Sequence, residues 1–381
     1  MLRPNTTSRV APLVLALCAV LSSAHAAPPA STPAATAALS PAHAPPPAPT
    51  PAATPAIAES TNAILQGDSE RAVNALRASP VEGFAGKDAV YRACMLARHA
   101  DAPVFATDAI ADEFVRQILH DYQDYWWHAM KAPQQRAQLE AKLLATLRKR
   151  IGPDAAGARD MDALEPILEG QLLAHGYRAQ LGRTMPLREL MMWRKQETRP
   201  WKVDLPEGPY TVKVELLDDW ASRGWTSYGR CERGSAGGWA TAEALYAVVP
   251  SYTEGLDSEA FRVVFLGHET QHFADQNAFP GLASWELEYR AKLVELAQAR
   301  EVSAKRLGGF ITAQGDDPDS PHTYANKRVI ADLTRRLGES PDKASIERLQ
   351  KAARDQLTED TARRKADAPD GSASKGDAVA R

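Results

Sequence analysis

Two histidines and a glutamate have a spacing that suits metal-assisted hydrolysis. His268, Glu269 and His272 spell H-E-T-Q-H within the apolar run FRVVFLGHETQHF. On a helix, residues four apart lie on one face, so both imidazoles can reach a single metal ion. Glu269, beside the first histidine, then lies where a general base is needed for attack by water. The pattern therefore predicts a catalytic metal site on a helix.

A third ligand must come from elsewhere, because a catalytic zinc site takes three protein ligands and leaves one position for water. The downstream segment SWELEYRAKLVEL offers Glu286, Glu288 and Glu295. Glu286 and Glu288 are two residues apart and point to nearly opposite sides of a helix, so only one of them can bind. Periodicity alone leaves both open.

These two segments resemble the gluzincin metallopeptidases, in which H-E-x-x-H is followed by a glutamate ligand on the next helix. In several short-core families the second motif reads Glu, two residues, Ala, Asp, and Glu288 with the following Y-R-A matches its first four positions. The resemblance covers about residues 261–296. It implies a zincin-like fold, a Zn²⁺ cofactor and Glu288 as third ligand, with Glu286 as the fallback.

Lys292 departs from the family pattern, which often has an acidic residue at this position. In the family that acid can orient a histidine ligand through a hydrogen bond, so another residue must do so here. Asp275 and Glu295 are the candidates. The resemblance further implies a zinc metallopeptidase or related amide hydrolase with Glu269 as general base.

Other parts of such a site are expected further along the chain. Zincins often take a hydrogen-bond donor for the oxyanion from a His or Tyr, and His322 and Tyr324 are candidates in a turn-like segment. Gluzincins also place a sheet edge beside the cleft, where a peptide can pair. Gly238 and Trp239 are candidates for this substrate-binding strand; an interior strand with a core tryptophan is the alternative.

Two other interpretations of H-E-T-Q-H compete with an active enzyme. One is a catalytically silent zincin-fold protein that binds or scaffolds in the periplasm. The other is a buried helix whose histidines are ordinary core residues. The intact set of His268, Glu269 and His272 favours the enzyme over the silent form.

The surrounding elements predict an α+β fold, mainly helical, with a small β-sheet that precedes the active-site helix. Apolar spacing and strand alternation give the following predictions: helices at Phe114–Met130, Arg136–Ile151, Met161–Leu181, Ser258–Phe273, Ala283–Leu307 and Lys343–Arg364, and strands within Trp201–Asp218, Gly224–Tyr228 and Gly237–Val249.

The start of the chain reads as a targeting signal. Arg3 and Arg9 precede a short apolar stretch, and A-H-A ending at Ala26 fits signal cleavage. We therefore expect an exported protein, periplasmic or secreted, with no integral membrane segment after cleavage. The predicted division is 1–26 signal peptide, 27–57 Pro/Ala-rich linker, 58–195 helical region, 196–340 zincin-like catalytic region, and 341–381 C-terminal helix with a disordered tail.

Composition limits the partners. The formal charge is −3, and loss of the two signal arginines makes it −5, so the chain carries no electrostatic footprint for nucleic acid. A peptide or protein substrate is expected, and cell-wall peptides fit an exported protein on a Pro-rich tether. Cys94 and Cys231 remain after signal cleavage, and the sequence leaves open whether they form a disulfide.

Overall fold

The computed structural model describes residues 53–241 and 243–367, together with the two-residue strand Ala19–Val20. It is mainly helical with one small, curled five-stranded sheet, which confirms the predicted α+β class. The rest of the predicted signal peptide, most of the linker and the end of the predicted tail lie outside the described residues.

The described chain forms two compact units. The first unit contains residues 19–20, 53–196 and 217–235, and the second contains residues 197–216 and 236–367. Both predicted metal motifs and all the predicted site residues belong to the second unit.

Helices make up most of both units. In chain order they are α1 Ala53–Leu65, α2 Ser69–Arg77, α3 Lys87–Arg98, α4 Glu113–Lys131, α5 Arg136–Ile151, α6 Met161–Ala174, α7 Trp225–Gly229, α8 Glu259–Phe261, α9 His268–Ala278, α10 Ser284–Gln298, α11 Ser303–Thr312, α12 Pro321–Leu337 and α13 Ile346–Asp367. Among the described residues, no helix combines the length and the apolar composition needed to cross a lipid bilayer.

The strands form one five-stranded sheet and one separate pair. They are β1 Ala19–Val20, β2 Arg178–Thr184, β3 Leu187–Leu205, β4 Gly208–Arg223, β5 Ser235–Ala236, β6 Gly238–Ala240 and β7 Leu245–Val248. The order in the sheet is β2-β3-β4-β7-β6, and β1 pairs with β5. β2 runs antiparallel to β3, and β6 runs antiparallel to β7.

Short aspartate caps fix where several helices of the first unit begin. Asp68, Asp112 and Asp160 each accept a hydrogen bond from the backbone N–H three residues later, at 2.8–3.0 Å. A carboxylate in this position satisfies a backbone donor that the helix itself leaves unpaired, and it interacts favourably with the positive end of the helix dipole. The local sequence at these aspartates therefore determines where α2, α4 and α6 begin.

A disulfide joins the two cysteines that the sequence left undecided. Cys94, on α3, is bonded to Cys231, just after α7, with Cα atoms 6.2 Å apart. The two residues are separated by 137 positions in the chain. Because the bond closes so long a loop, we expect it to stabilise the first unit mainly by restricting its unfolded state.

Some predicted element boundaries were wrong. The helix predicted to reach Leu181 ends at Ala174, because Gly176 takes a positive φ of 81° and the chain then enters β2. The region predicted to be helical to residue 195 therefore contains β2 and the start of β3. The buried run at the start of β3 lacks alternation, since both of its faces are covered, and such a run resembles a helix segment.

Two further differences concern short elements. The segment Gly224–Tyr228 was predicted to be a strand, but α7 forms there instead after Gly224 takes a φ of 86°. The predicted linker was extended to residue 57, whereas α1 already begins at Ala53. Short segments depend on their tertiary surroundings more than on local pattern.

A buried arginine links three elements of the second unit. Arg290, on α10, donates hydrogen bonds to Asp275 on α9 at 2.9 Å and to Asp360 on α13 at 2.8 Å. It also pairs with Glu207, just before β4, at 3.0 Å. Arg290 is only 1% exposed. These charged hydrogen bonds fix α9 against α10, the two helices that carry the predicted metal motifs.

Arg290→Ala is expected to lower the free energy of unfolding by about 3–5 kcal/mol, because it leaves buried carboxylates with one cation fewer. Chemical denaturation followed by circular dichroism measures the change. Arg335→Ala is the matched control: Arg335 pairs with Asp332 at the surface, 74% exposed. Its loss should change stability by less than about 0.5 kcal/mol. Equal losses in the two variants would contradict a structural role for the buried network.

Candidate metal centre

The helix α9 begins at His268, directly after a π-helical segment, Arg262–Gly267. Such wide turns are rare and occur frequently at functional sites. His268 and His272 lie one turn apart on α9 and are buried, at 0% and 3% exposure. Their Nε2 atoms face each other at 3.1 Å. Two lone pairs at this distance repel unless a proton or a cation lies between them.

Glu288, on α10, brings a carboxylate to the same point. Its Oε1 lies 3.4 Å from His272 Nε2, and its Oε2 lies 3.6 Å from His268 Nε2. Around a tetrahedral zinc ion with bonds of about 2.0–2.1 Å, neighbouring ligand atoms are about 3.3–3.4 Å apart. The Nε2–Nε2 distance of 3.1 Å and the Nε2–Oε1 distance of 3.4 Å are close to this separation, so the three side chains could hold such an ion. We call His268, His272 and Glu288 the ligand triangle.

Glu295 fixes the ring of His268. Its Oε1 lies 2.6 Å from His268 Nδ1, and Arg306 donates to the same oxygen at 3.0 Å. Burial alone would raise the pKa of Glu295, but the charge of Arg306 and the bond with His268 bring this pKa down to about 2. An ionised Glu295 accepts the Nδ1 proton, so His268 presents the lone pair of Nε2 to the centre of the triangle.

The two oxygens of Glu288 have different surroundings. Oε2 accepts a hydrogen bond from Lys292 Nζ at 2.8 Å and lies 2.8 Å from His322 Nδ1. Oε1 is buried and has no hydrogen-bond partner among the described residues. Burial alone would raise the pKa of Glu288, but the neighbouring Lys292 ammonium holds this pKa well below its ordinary value. Glu288 is thus an ionised carboxylate. Its Oε2 accepts the hydrogen bond from Lys292, and its Oε1 is available to a cation.

The predicted general base lies within the same helix. Glu269 follows His268 on α9 and is 1% exposed. A carboxylate removed from water interacts more strongly with nearby charge than one in solution. Glu269 is therefore a buried carboxyl group directly next in sequence to one member of the ligand triangle.

The structure separates the two candidates for the oxyanion donor. His322 contacts Glu288, and at 37% exposure it is the most exposed of the side chains described here around the triangle. Tyr324 packs against Trp285 with ring centroids 5.2 Å apart, and its hydroxyl accepts a hydrogen bond from Arg328 at 2.9 Å. The segment was predicted to be turn-like, but it forms the first turn of α12, with Pro321 at the start of the helix, a position that proline favours.

Glu286, the fallback ligand, takes a different role. Its Oε2 accepts a hydrogen bond from the backbone N–H of Ala283 at 2.9 Å, which closes the start of α10. Its Oε1 pairs with Arg364 on α13 at 3.1 Å. The two neighbouring glutamates thus point apart, as their spacing predicted.

The predicted substrate strand is β6. Among the described strands β6 comes last in the order of the sheet, so one of its sides is an edge. Trp239 is buried, at 5% exposure, and stacks on Tyr246 with ring centroids 5.2 Å apart. A Cβ on Gly238 would come within 2.1 Å of the Tyr246 carbonyl oxygen and 2.4 Å of the Phe265 ring. Close packing therefore explains the glycine, and Trp239 is a packed residue on an edge strand.

Some residues around the triangle were not assigned from the sequence. Arg306 on α11 has no local signal, because its partner lies on another helix. Lys292 lies four residues after Glu288, a spacing that favours an ion pair on one helix face. Of the two candidates for orienting a histidine, Glu295 contacts His268, whereas Asp275 bonds to Gln271 and to the buried arginine of α10.

Comparison of the chain with protein-family models, with curated proteins and with solved structures finds no match. The resemblance to gluzincins therefore rests on residues 261–296 alone, and the function has to be argued from the geometry of the site.

Glu288→Ala is expected to weaken zinc binding by more than the roughly 10–100-fold that loss of an outer contact costs, because it removes one of three ligands. Glu286→Ala is the matched control on the same helix and should keep wild-type affinity. Competition with a chromogenic zinc chelator measures both constants. Wild-type affinity in Glu288→Ala, together with lost binding in Glu286→Ala, would reverse the assignment of the third ligand.

Proposed function

We propose that the protein is a zinc-dependent metallopeptidase or related amide hydrolase. The observation that supports this most is the ligand triangle, in which two imidazole nitrogens and a carboxylate oxygen converge from two helices. The sequence places a glutamate directly beside the first of these histidines. Three ligands with an adjacent carboxylate form the minimal set for metal-assisted attack by water.

The donor set favours zinc over the commoner hard cations. Ca²⁺ and Mg²⁺ prefer oxygen ligands, and Ca²⁺ takes six to eight of them. Two imidazoles and one carboxylate suit Zn²⁺ or another divalent first-row transition metal, and zinc sites of this composition are catalytic when one position stays open for water. The available Oε1 of Glu288 and the facing Nε2 atoms fit that ion.

Zinc, when bound, would polarise a carbonyl oxygen and lower the pKa of a bound water towards neutrality. Glu269 would accept the proton of the attacking water and pass it to the leaving amine. His322 is the better placed of the two donor candidates, since it touches Glu288 and reaches solvent. Donation to an oxyanion from its Nε2 requires hydrogen on both ring nitrogens.

The expected substrate is a peptide or protein, and β6 is where we propose that it pairs. An extended peptide can add to the free edge of this strand through backbone hydrogen bonds. The packed ring of Trp239 supports the strand from within. The targeting signal and the Pro/Ala-rich linker support export to the periplasm or beyond, where cell-wall peptides are one available substrate class.

A silent zinc-binding protein is the second candidate, and the burial of the site favours it. Glu269 and Glu288 are each 1% exposed, so a substrate carbonyl must enter a region with little solvent contact. A metal in such a place can serve stability or binding alone. The two candidates differ in turnover rather than in metal content.

Glu269→Gln separates them. If the protein is a peptidase, this variant should keep wild-type zinc content while hydrolysis falls by about 10²–10⁴-fold, the usual contribution of a general base. The zinc-loaded full chain is assayed on a library of internally quenched peptides, and metal content is measured by atomic emission.

Glu243→Gln, an exposed change in the same unit, is the matched control and should cleave like wild type. Zinc-loaded wild type that cleaves no peptide of the library would favour the silent protein. Undiminished cleavage by Glu269→Gln would remove Glu269 from the mechanism.

A further inference from the structure

The buried lysine beside the third ligand has no counterpart in the expected motif. Lys292 is 3% exposed and lies four residues after Glu288 on α10. Its Nζ donates to Glu288 Oε2 at 2.8 Å and lies 5.2 Å from the centre of the Phe310 ring. A lysine is almost never fully buried unless it is paired, so the side chain is held in this place by its contacts with the carboxylate and the ring.

Lys292 and His322 act on the same oxygen. His322 Nδ1, on α12, also lies 2.8 Å from Oε2, so an ammonium and an imidazole from two different helices lie against this oxygen. Oε1 has no hydrogen-bond partner among the described residues and lies 3.4 Å from His272 Nε2, whereas Oε2, although 3.6 Å from His268 Nε2, already accepts the bond from Lys292. A buried, ionised oxygen without a partner is costly, and a cation at the centre of the triangle would remove that cost.

We propose that Lys292 is a positioning residue that engages Oε2 through its ammonium and so restricts Glu288 to a single ligand oxygen. The inference rests on the proposed zinc site. A carboxylate that binds through both oxygens would raise the coordination number and compete with water for the open position. By occupying Oε2, Lys292 keeps that position open. His322 assists from the exposed side.

This role differs from the one that an acidic residue plays at the same position. An acid there orients a histidine, whereas here Glu295 orients His268 at 2.6 Å and Lys292 is free to act on Glu288. The orienting contact therefore lies three residues further along α10 than the acid of the gluzincin motif, close to one helical turn. His268 and Glu288 therefore each keep a supporting contact, from Glu295 and Lys292 respectively.

The test is the coordination of the metal in Lys292→Met. A lysine ammonium also repels a nearby dication, so its loss changes affinity in two opposing ways. The number of ligands is the direct readout. Cobalt(II) replaces zinc in the full-length protein, since its visible absorption is intense in four-coordinate sites and weak when a further ligand binds.

Wild type should show the intense four-coordinate spectrum, and Lys292→Met should lose it as Glu288 binds through both oxygens. X-ray absorption of the zinc-loaded proteins should count one more oxygen in the variant at about 2.0–2.2 Å. Lys351→Met is the matched control, because Lys351 forms an exposed pair with Asp355 four residues away on α13. It should leave both spectra unchanged.

The outcomes are separable. Wild type that binds neither zinc nor cobalt would contradict the proposed function itself. Wild type with the four-coordinate spectrum and a folded Lys292→Met with the same spectrum would overturn only the role of Lys292, whatever its affinity. If Lys292→Met fails to fold by circular dichroism, Lys292→Gln takes its place, since its amide is too short to hold Oε2 in the same way and carries no charge. The same spectral loss is then expected.

Discussion

The close approach of two imidazole nitrogens and a carboxylate in a buried place is the constraint on which the rest of this unit depends. Two imidazole nitrogens 3.1 Å apart and a carboxylate oxygen 3.4 Å from one of them would separate if nothing compensated them. A proton can relieve one contact at a time. A divalent cation would relieve all of them together, and the two distances are close to the ligand separation around a tetrahedral ion. The architecture around the triangle can be understood as the means of holding that arrangement.

Helices α9 and α10, together with the side chains that hydrogen-bond to the triangle residues, hold the triangle in place. His268 is fixed by Glu295, which is in turn held by Arg306 on another helix. Arg290 joins α9, α10 and α13 through buried carboxylates, so the two ligand-bearing helices cannot slide past each other without breaking several charged hydrogen bonds. Sites carried on helices and supported in this way are more precise than sites on loops. His272 is less constrained than His268, because its Nδ1 has no hydrogen-bond partner among the described residues.

Much of the triangle could be predicted because its information is local. The spacing of His268 and His272 determines their common face, and the spacing of Glu286 and Glu288 determines that they diverge. Which of the two glutamates turns inward depends on how α10 packs on α9, a long-range property. Periodicity left it open, and only the resemblance favoured Glu288.

The remaining parts depend on tertiary contacts that no local pattern records. His322 approaches from α12, more than thirty residues after Glu288, and neither residue type nor spacing predicts that contact. The first strands of the sheet were missed for a related reason: the buried run Leu187–Trp193 is covered on both faces and loses the alternation that marks a strand. The pairing of Cys94 with Cys231 likewise depends on chain positions far apart.

The balance of charge at the triangle bears on how such a site would work. The ionised Glu288 and Glu295 each contact a cationic side chain, Lys292 and Arg306, so these charges cancel in pairs. A divalent cation held between neutral imidazoles would then leave the site with a net positive charge. A site of net positive charge favours hydroxide over water and an oxyanion over a neutral carbonyl. Without Lys292 that excess would be one charge smaller, so the proposed positioning residue would also add to it.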